Sequence, residues 1–591
     1  MHKGVAVSPG VVVGVAYRVE SVFGSGEPVG LADPSLVPIE IDRFDRAVAA
    51  ASAELEGIVQ KVARQLGPSE ASIFRTHLAI VSDQSLLAKV RVTVETQGLT
   101  ALSALQIVLQ GYAATFAQHE HDFFRDRMAD IRDVISRIGS HLSLAVSSAS
   151  MMPEFEPGSD GDTPVILVAH EILPSQAMSL GSLAIAGIVT ETGGKTSHVA
   201  ILARSRGIPA VSGCEGVTAD IRSGDLLIVD GRDGVVQVRP DPETVAAYRK
   251  MQREFFDLKD RLITNRDQLA ASADGVPVDL LANINNLPDA YAAGQVGASG
   301  VGLFRTEYLF LTHHDVPDEE EQYEHYRQMI EASPGKTATI RTLDLGGDKT
   351  VPYLGQRNEA NPFMGWRSIR MTLEHPRLFE KQIRAILRAG RHGKVSMLFP
   401  MITTLEELRK VNKLVEETRK ALRREGVPFG EDVKTGVMVE VPAAAVCIDA
   451  LLRETDFISI GSNDLIQYLV AADRDNPKVA HLCEPLAPAI FRVLQMVLDA
   501  CRRTGTPVTV CGEMAGQPRA ALVLFGMGLR RFSMSPAFVP TIKALLALVT
   551  TAQAERFAHQ VLQLKTGDEI RSYLNARLHE VSADLEMFDF T

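Results

Sequence analysis

The feature that most constrains this chain is an alternation in its second half. Eight short apolar runs follow one another from residue 278 to residue 535: VDLLANI (278–284), VGLFRTEYLF (301–310), TATIRTLDL (337–345) and VSMLFPMI (395–402), then KTGVMVEVP (434–442), FISIGSND (457–464), PVTVCGE (507–513) and RRFSMS (530–535). Most are followed by a segment of helical periodicity. Unbroken apolar runs mark strands buried on both faces, which a parallel sheet covered by helices requires. Eight such units predict a (β/α)8 TIM-type barrel over 270–591. Chemistry in a barrel gathers at the carboxyl ends of its strands, so the polar residues that close these runs are the ones to weigh.

The first half is built differently. Opening strands run to a Gly/Pro-rich turn near Gly24–Gly30, and a long helical stretch follows. Within it Phe44, Val48, Ala51, Leu55 and Val59 recur at spacings of three and four. Phe74, Leu78 and Val81 repeat the pattern, as do Met128, Ile131, Ile135 and Ile138. This predicts a helical bundle over 35–150, ended by the breaker-rich linker MMPEFEPGSDG (151–161). From Pro164 to Arg239 short β-branched runs return, separated by Gly/Asp turns. The opening strands need partners, so 1–30 and 155–240 are expected to form one α/β domain with the bundle as an insertion. Residues 241–268, charged and helix-prone, are expected to be a linker helix.

Composition excludes several classes. Lys+Arg of 61 against Asp+Glu of 73 gives a net charge of −12, which argues against nonspecific binding to nucleic acid or an anionic membrane. No apolar run approaches the roughly 18 residues needed to span a bilayer. Five scattered cysteines without CxxC pairs favour a reducing cytoplasm over a disulfide or zinc framework.

Four constellations carry chemistry. In GGKTSHVAILAR (193–204) a glycine pair leads through Thr196 and Ser197 into an apolar helical run. That puts His198 in a first helical turn, where free N–H groups favour an anion and an imidazole can act as nucleophile. Arg305 and Arg341 sit at strand ends, with Arg367 and Arg474 beyond. A lone Arg is ordinarily a surface ion pair, but four converging on one face suit a small, multiply anionic ligand. Glu440 closes VMVE and Asp464 closes ISIGSND. Two hard carboxylates on neighbouring strands suit Mg²⁺, or Mn²⁺, with Asn463 placed to donate to a ligand phosphate. A helix cap is the competing role for Asn463 and Asp464. Cys511 ends PVTVC, where a thiol is able to move a proton at carbon; a buried core cysteine is the plainer role. His313-His314 reads as solvated surface.

These residues together resemble Enzyme I of the bacterial phosphoenolpyruvate-dependent sugar phosphotransferase system, the phosphoenolpyruvate–protein phosphotransferases. The likeness runs along essentially the whole chain. It is carried by VSPGVVVGVA, GGKTSHVAILAR, GLFRTEYLF, RTLDLGGDK, NPFMGWRSIR, VEVPAAA, DFISIGSNDLIQYLVAADR and CGEMAG. It implies a swivelling phosphohistidine α/β domain, an inserted helical subdomain that contacts a carrier, and a barrel that binds phosphoenolpyruvate and dimerises. It further implies that His198 accepts the phosphoryl group and passes it to a histidine of the small phosphocarrier HPr, or a paralogue, with release of pyruvate. Arg305, Arg341, Arg367, Asn463 and Arg474 would hold phosphoenolpyruvate, with Asp464 beside them. Glu440 and Asp464 would bind Mg²⁺, and Cys511 would protonate the enolate. Two positions depart from the family pattern: Val199 follows the histidine, and Ile80–Ser85 carries a single acid where the family has an acidic segment.

Two rivals remain open at this stage. Pyruvate phosphate dikinase and phosphoenolpyruvate synthase share the swivelling histidine and the barrel. They need a large nucleotide-binding domain before the histidine, and only about 190 residues precede it here, without a Gly-rich phosphate loop. A catalytically silent phosphoenolpyruvate-sensing protein is the other, although every proposed catalytic position holds a competent residue.

Overall fold

The computed structural model describes residues 1–8, 10–19, 28–31, 33–65, 77–78, 80–117, 122–144, 164–172, 185–192, 203, 207–311, 315–346, 359, 361–474, 476 and 478–588. The phosphohistidine-type segment with His198, the 151–161 linker, Phe74 and His313-His314 lie outside the described residues.

Strands β1 (His2–Lys3), β2 (Val5–Ser8), β3 (Val11–Arg18), β4 (Val165–Ala169), β5 (Ile185–Thr190), β6 (Ala210–Ser212), β7 (Leu226–Asp230) and β8 (Val235–Val238) form one mixed sheet. Its order is β1-β8-β7-β3-β4-β5-β6-β2. The strands before the helical stretch therefore pair with strands after it: β3 runs parallel to β4 and antiparallel to β7, while β2 closes the far edge on β6. The centre of the sheet is unbrokenly apolar because both faces are covered. Val12, Ile166, Val168, Val189 and Val229 pack on one side, and Leu167, Ile188 and Ala203 on the other.

Between β3 and β4 run the helices Val37–Gln65, Gln84–Gln97, Ala101–Ala117 and Asp122–Leu144. Phe44, Ala51 and Leu55, read from the periodicity, meet Val90, Val94, Leu105, Ile135 and Ile138 in one core. The second of these helices starts where the Asp83 carboxylate accepts the N–H groups of Ser85 and Leu86, and stops at Gly98 with φ +60°. Helix Pro242–Thr264 then lies against β3, with the Gln252 side-chain carbonyl accepting the Val13 N–H at 3.3 Å.

The remainder is a closed barrel of parallel strands: β9 (Asp279–Ile284), β10 (Val301–Arg305), β11 (Thr337–Arg341), β12 (Lys394–Phe399), β13 (Lys434–Val439), β14 (Phe457–Ile460), β15 (Val508–Val510) and β16 (Arg531–Met534). Pairing runs around the whole ring, with register shifts on both sides of β10, and β16 returns to pair with β9 from Arg531 opposite Asp279 to Met534 opposite Ala282. Every run read as a strand is one, but several stop early. Past Arg305, residues Glu307–Leu311 form a helical turn that buries Leu309 and Phe310 in the outer core. Past Ile460 the chain turns at Gly461 into helix Ser462–Val470. Asn463 and Asp464 therefore stand in a first helical turn and do not end a strand. Apolar residues continue beyond the ladder because helices also need them, and periodicity cannot mark where one element hands over to the next.

Candidate active site at the barrel mouth

The strand ends deliver a dense set of buried charges. Arg341, the last residue of β11, donates from Nη2 to Glu307 at 2.8 Å and pairs through Nη1 with Asp344 at 3.1 Å. Burial opposes its charge, but Glu307, Asp344 and Glu440 outweigh that and hold its pKa above the ordinary value. Arg367 is gripped on three sides. Nε and Nη2 donate to both oxygens of Asp344 at 3.0 Å, Nη2 also donates to Asp464 at 3.0 Å, and Nη1 donates to the Tyr468 hydroxyl at 3.1 Å. Arg474 pairs with the other Asp464 oxygen at 3.2 Å. Burial would raise the Asp464 pKa; Arg367 and Arg474 reverse this and lower it.

Glu440 meets the opposite outcome. It is 1% exposed, directly after β13, and burial together with Asp464 and Asp344 pushes its carboxyl up. One oxygen accepts the Met401 N–H at 2.7 Å. Met401 pays for that contact with a left-handed φ of +56°, and Ser368, beside Arg367, sits at φ +57°, ψ −124°. Non-glycine residues held in such regions mark places where the surroundings over-determine the backbone. Gly461 is required by proximity, since a Cβ there would stand 2.8 Å from the other Glu440 oxygen.

Arg305 differs from its neighbours. Its Nη1 donates to the Asn285 side-chain oxygen at 3.2 Å, and among the described residues it forms no ion pair. Burial, and then the charge of Arg341, lower its pKa. A half-buried guanidinium beside another, hydrogen-bonded to an amide and acted on by Glu307 and Glu513 without an ion pair, suits an anionic ligand.

Cys511 follows β15 directly and is 2% exposed, facing into the barrel with Leu303, Leu398, Met438 and Phe457. Burial pushes its thiol up to about 11, so it stays protonated at neutral pH. Asn463 accepts the Glu513 N–H at 3.0 Å, which leaves its NH2 group to donate elsewhere. The structure thus brings together Arg305, Arg341, Arg367, Glu440, Asp464, Arg474 and Cys511 through shared partners and fields, with Asn463 on the same helical turn as Asp464. Sequence reading missed Glu307, Asp344 and Tyr468. Asp344 had a signal, as an acid inside the apolar run TATIRTLDL. Tyr468 had another: it stands one helical turn after Asp464, on the same face.

The fit of a divalent cation rests on this donor set. Asp464 and Asp344 raise the cost of ionising Glu440, a cost that a divalent cation between Glu440 and Asp464 would offset. Among the described residues no three carboxylate, imidazole or thiol groups form a closed cage. An ion held by these two would complete its shell with ligand oxygens and water, as Mg²⁺ commonly does.

Comparison with known proteins assigns the segments. A family model described as the N-terminal part of phosphoenolpyruvate-utilising enzymes matches residues 3–127. Their mobile domain matches 161–234, and their phosphoenolpyruvate-binding domain 259–551. Proteins called phosphoenolpyruvate-protein phosphotransferase in Bacillus sp. (strain S) and in Geobacillus stearothermophilus are each 40% identical over 572 residues, 97% of both chains. One of the same name in Priestia megaterium is 38% identical over 578 residues, covering 98% of this chain and 99% of its own.

Proposed function

The chain belongs to the phosphoenolpyruvate–protein phosphotransferase (Enzyme I) family, and on that premise we propose that His198 takes the phosphoryl group of phosphoenolpyruvate and passes it to a histidine of HPr or a paralogue, releasing pyruvate. The observation that carries this reading is Arg305, a guanidinium without a carboxylate among carboxylate-bound ones. It supports a multiply anionic ligand at the strand ends. We assign 1–30 and 155–240 to the phosphohistidine domain, 35–150 to carrier binding, 241–268 to a linker helix and 270–591 to ligand binding and dimerisation.

In this reading Arg305 and Arg341 neutralise the phosphate and carboxylate of phosphoenolpyruvate, while Arg367 and Arg474 keep Asp464 ionised and placed. Phosphoryl transfer needs in-line positioning and charge neutralisation more than covalent help. Glu440 and Asp464 would hold Mg²⁺, which when bound supplies further neutralisation of the phosphate. Asn463 donates from its amide to a ligand oxygen. His198 attacks phosphorus, the bridging P–O bond breaks with its electron pair staying on the oxygen of the departing enolpyruvate, and Cys511 gives its proton to the methylene carbon. A thiol with a pKa near 11 holds that proton until the enolate is there to take it. His198 has to reach the barrel and then the carrier, so its domain swivels. All five cysteines are free, in keeping with a cytoplasmic location, and among the described residues no single helix is long and apolar enough to cross a membrane.

The test is peptide mapping by mass spectrometry after exposure to phosphoenolpyruvate and Mg²⁺ without ATP, at neutral to alkaline pH where phosphohistidine survives. A phosphoryl group on the peptide bearing His198, absent in His198→Ala, is expected. Modification elsewhere, or a requirement for ATP, refutes the reading.

A further inference from the structure

Cys511 has a problem in its own geometry. Its backbone N–H donates to the Ile460 carbonyl at 3.0 Å, and its thiol faces the same oxygen at 3.4 Å as a donor. That contact is favourable only while the sulfur carries a proton. Once the proton leaves, a thiolate stands against a carbonyl lone pair, with the cysteine 2% exposed. The backbone of Cys511 is fixed at both ends, so the sulfur is able to move only by rotation about χ1 within its buried site. The N–H is bound to Ile460, and the Cys511 carbonyl accepts from Asn283 Nδ2 at 2.9 Å. Asn283 is itself locked, donating to the Ser533 carbonyl and accepting from the Ser533 hydroxyl at 2.6 Å.

A donor stands beside it. Ser459 lies on β14, opposite Thr509 of β15, so strand alternation puts 457, 459, 509 and 511 on the barrel's inner face. Phe457 and Cys511 share the inner cluster, as that alternation requires. Ser459 is 1% exposed, and among the described residues no partner lies at hydrogen-bond geometry to its hydroxyl oxygen. A buried hydroxyl left unsatisfied is costly and asks for a state in which it is used. It lies near enough to the thiol to favour the ionised sulfur, against the larger effect of burial. The other charges acting on this sulfur are Glu440, which disfavours a thiolate, and Arg341 and Arg305, which favour it. Both arginines are also called on by the ligand.

We propose that Ser459 is a positioning residue for the proton-transfer step, its hydroxyl turning to donate to the Cys511 sulfur as that sulfur gives up its proton. This rests on the assignment of Cys511 as proton donor. In the step, the S–H bond breaks and a C–H bond forms at the methylene carbon of enolpyruvate. The enolate oxygen becomes the pyruvate carbonyl, and the electron pair of the S–H bond stays on sulfur as a thiolate bonded to Ser459. A proton from water restores the thiol before the next turnover.

The reverse step isolates this role: a thiolate at Cys511 removes a methyl proton from pyruvate, which NMR reads as deuterium exchange in D₂O with Mg²⁺ present. Ser459→Ala is expected to slow exchange about tenfold, the worth of one hydrogen bond to a charged group. The KM for phosphoenolpyruvate should stay within about twofold, since the hydroxyl acts only on sulfur. Ser459→Thr, which keeps the hydroxyl, should restore exchange, and Ser459→Cys, a weaker donor, should fall between and serve if the alanine variant does not fold. Exchange in folded Ser459→Ala, or in Ser459→Cys if the alanine variant does not fold, equal to that of the unsubstituted protein, or a threonine variant as slow as alanine, overturns the proposal. Cys511→Ser run in parallel separates the premises: if it too exchanges normally, the assignment of Cys511 fails, whereas slow Cys511→Ser with normal Ser459→Ala defeats Ser459 alone.

Discussion

Two clusters of buried charge, one in the helical bundle and one at the barrel mouth, use the same residue types for different ends. In the bundle Arg137, 6% exposed, binds Glu54 and lies 3.8 Å from Asp133, while His141 meets the other Glu54 oxygen at 2.8 Å. Here two basic side chains face two acidic ones. At the barrel mouth Arg341, Arg367 and Arg474 are shared among Glu307, Asp344 and Asp464, while among the described residues Arg305 bonds an amide and forms no ion pair, and Glu440 is pushed toward its neutral form. Buried charges that satisfy one another serve the fold, and buried charges left over on both sides serve a ligand.

The largest effect is expected where both purposes meet. Asp344 holds Arg341 and Arg367 together, so Asp344→Ala leaves two guanidinium groups without their shared partner. A loss of about 3–5 kcal/mol in urea unfolding of the barrel is expected, along with loss of phosphoryl transfer. A stable but inactive Asp344→Ala protein would mean that the mouth is not held together by its own charges, and would break the contrast.

Arg305→Met comes next and sharpens it. Removing the guanidinium that lacks a carboxylate should lower kcat/KM for phosphoenolpyruvate about 10²- to 10³-fold, as loss of one positioned donor to developing charge does. Thermal stability should hold nearly constant, since among the described residues no acid is ion-paired to Arg305. A fall in stability like that of Asp344→Ala would show that Arg305 is structural. The bundle supplies the converse. Arg137→Met takes a shared partner from Glu54 and Asp133, and because Glu54 is partly exposed and keeps His141 the expected loss is about 2 kcal/mol. Labelling of the chain by phosphoenolpyruvate should be unchanged, since that cluster has no part in it.

These contrasts also mark what was legible beforehand. Apolar patterning showed the barrel, the bundle and the split sheet, because burial of long runs is written in residue type. It did not show where strands end. VGLFRTEYLF breaks after Arg305 because Glu307 turns back to pair with Arg341, and FISIGSND breaks after Ile460 because Gly461 must pass close to Glu440. Single strand ends flagged Arg305, Arg341, Glu440 and Cys511 one at a time. Asp344 and Tyr468 carried local signals, but their part in the site rests on Arg367, which reaches them only through the fold. The difference between Arg305 and Arg341 was invisible for the same reason: it depends on which acids fold back to meet each one.

The smallest expected effect concerns pH, and it separates the two clusters by their response to a cation. Glu440 has its pKa raised above the ordinary value of about 4.5. Between that value and its folded one the native state carries a proton that the unfolded chain has shed, so stability falls as pH rises through this window. Asp464 runs the other way. Its pKa is lowered from about 3.8, so the stability it contributes is present above that value and is lost only in acid. From about pH 5 upward, Glu440 alone therefore sets the slope for this pair. A cation held by Glu440 and Asp464 binds the ionised carboxylate, so stabilisation by Mg²⁺ should grow with pH over the same range. The expected result is a decline of a few degrees in barrel Tm without Mg²⁺, flattened when Mg²⁺ is added. Glu440→Gln should remove both the decline and the response to the ion, whereas Arg137→Met in the bundle should leave both in place. If Mg²⁺ stabilised Glu440→Gln as well as the unsubstituted protein, the carboxylates left over at the mouth would not be its site, and the openness of that cluster would answer to the anionic ligand alone.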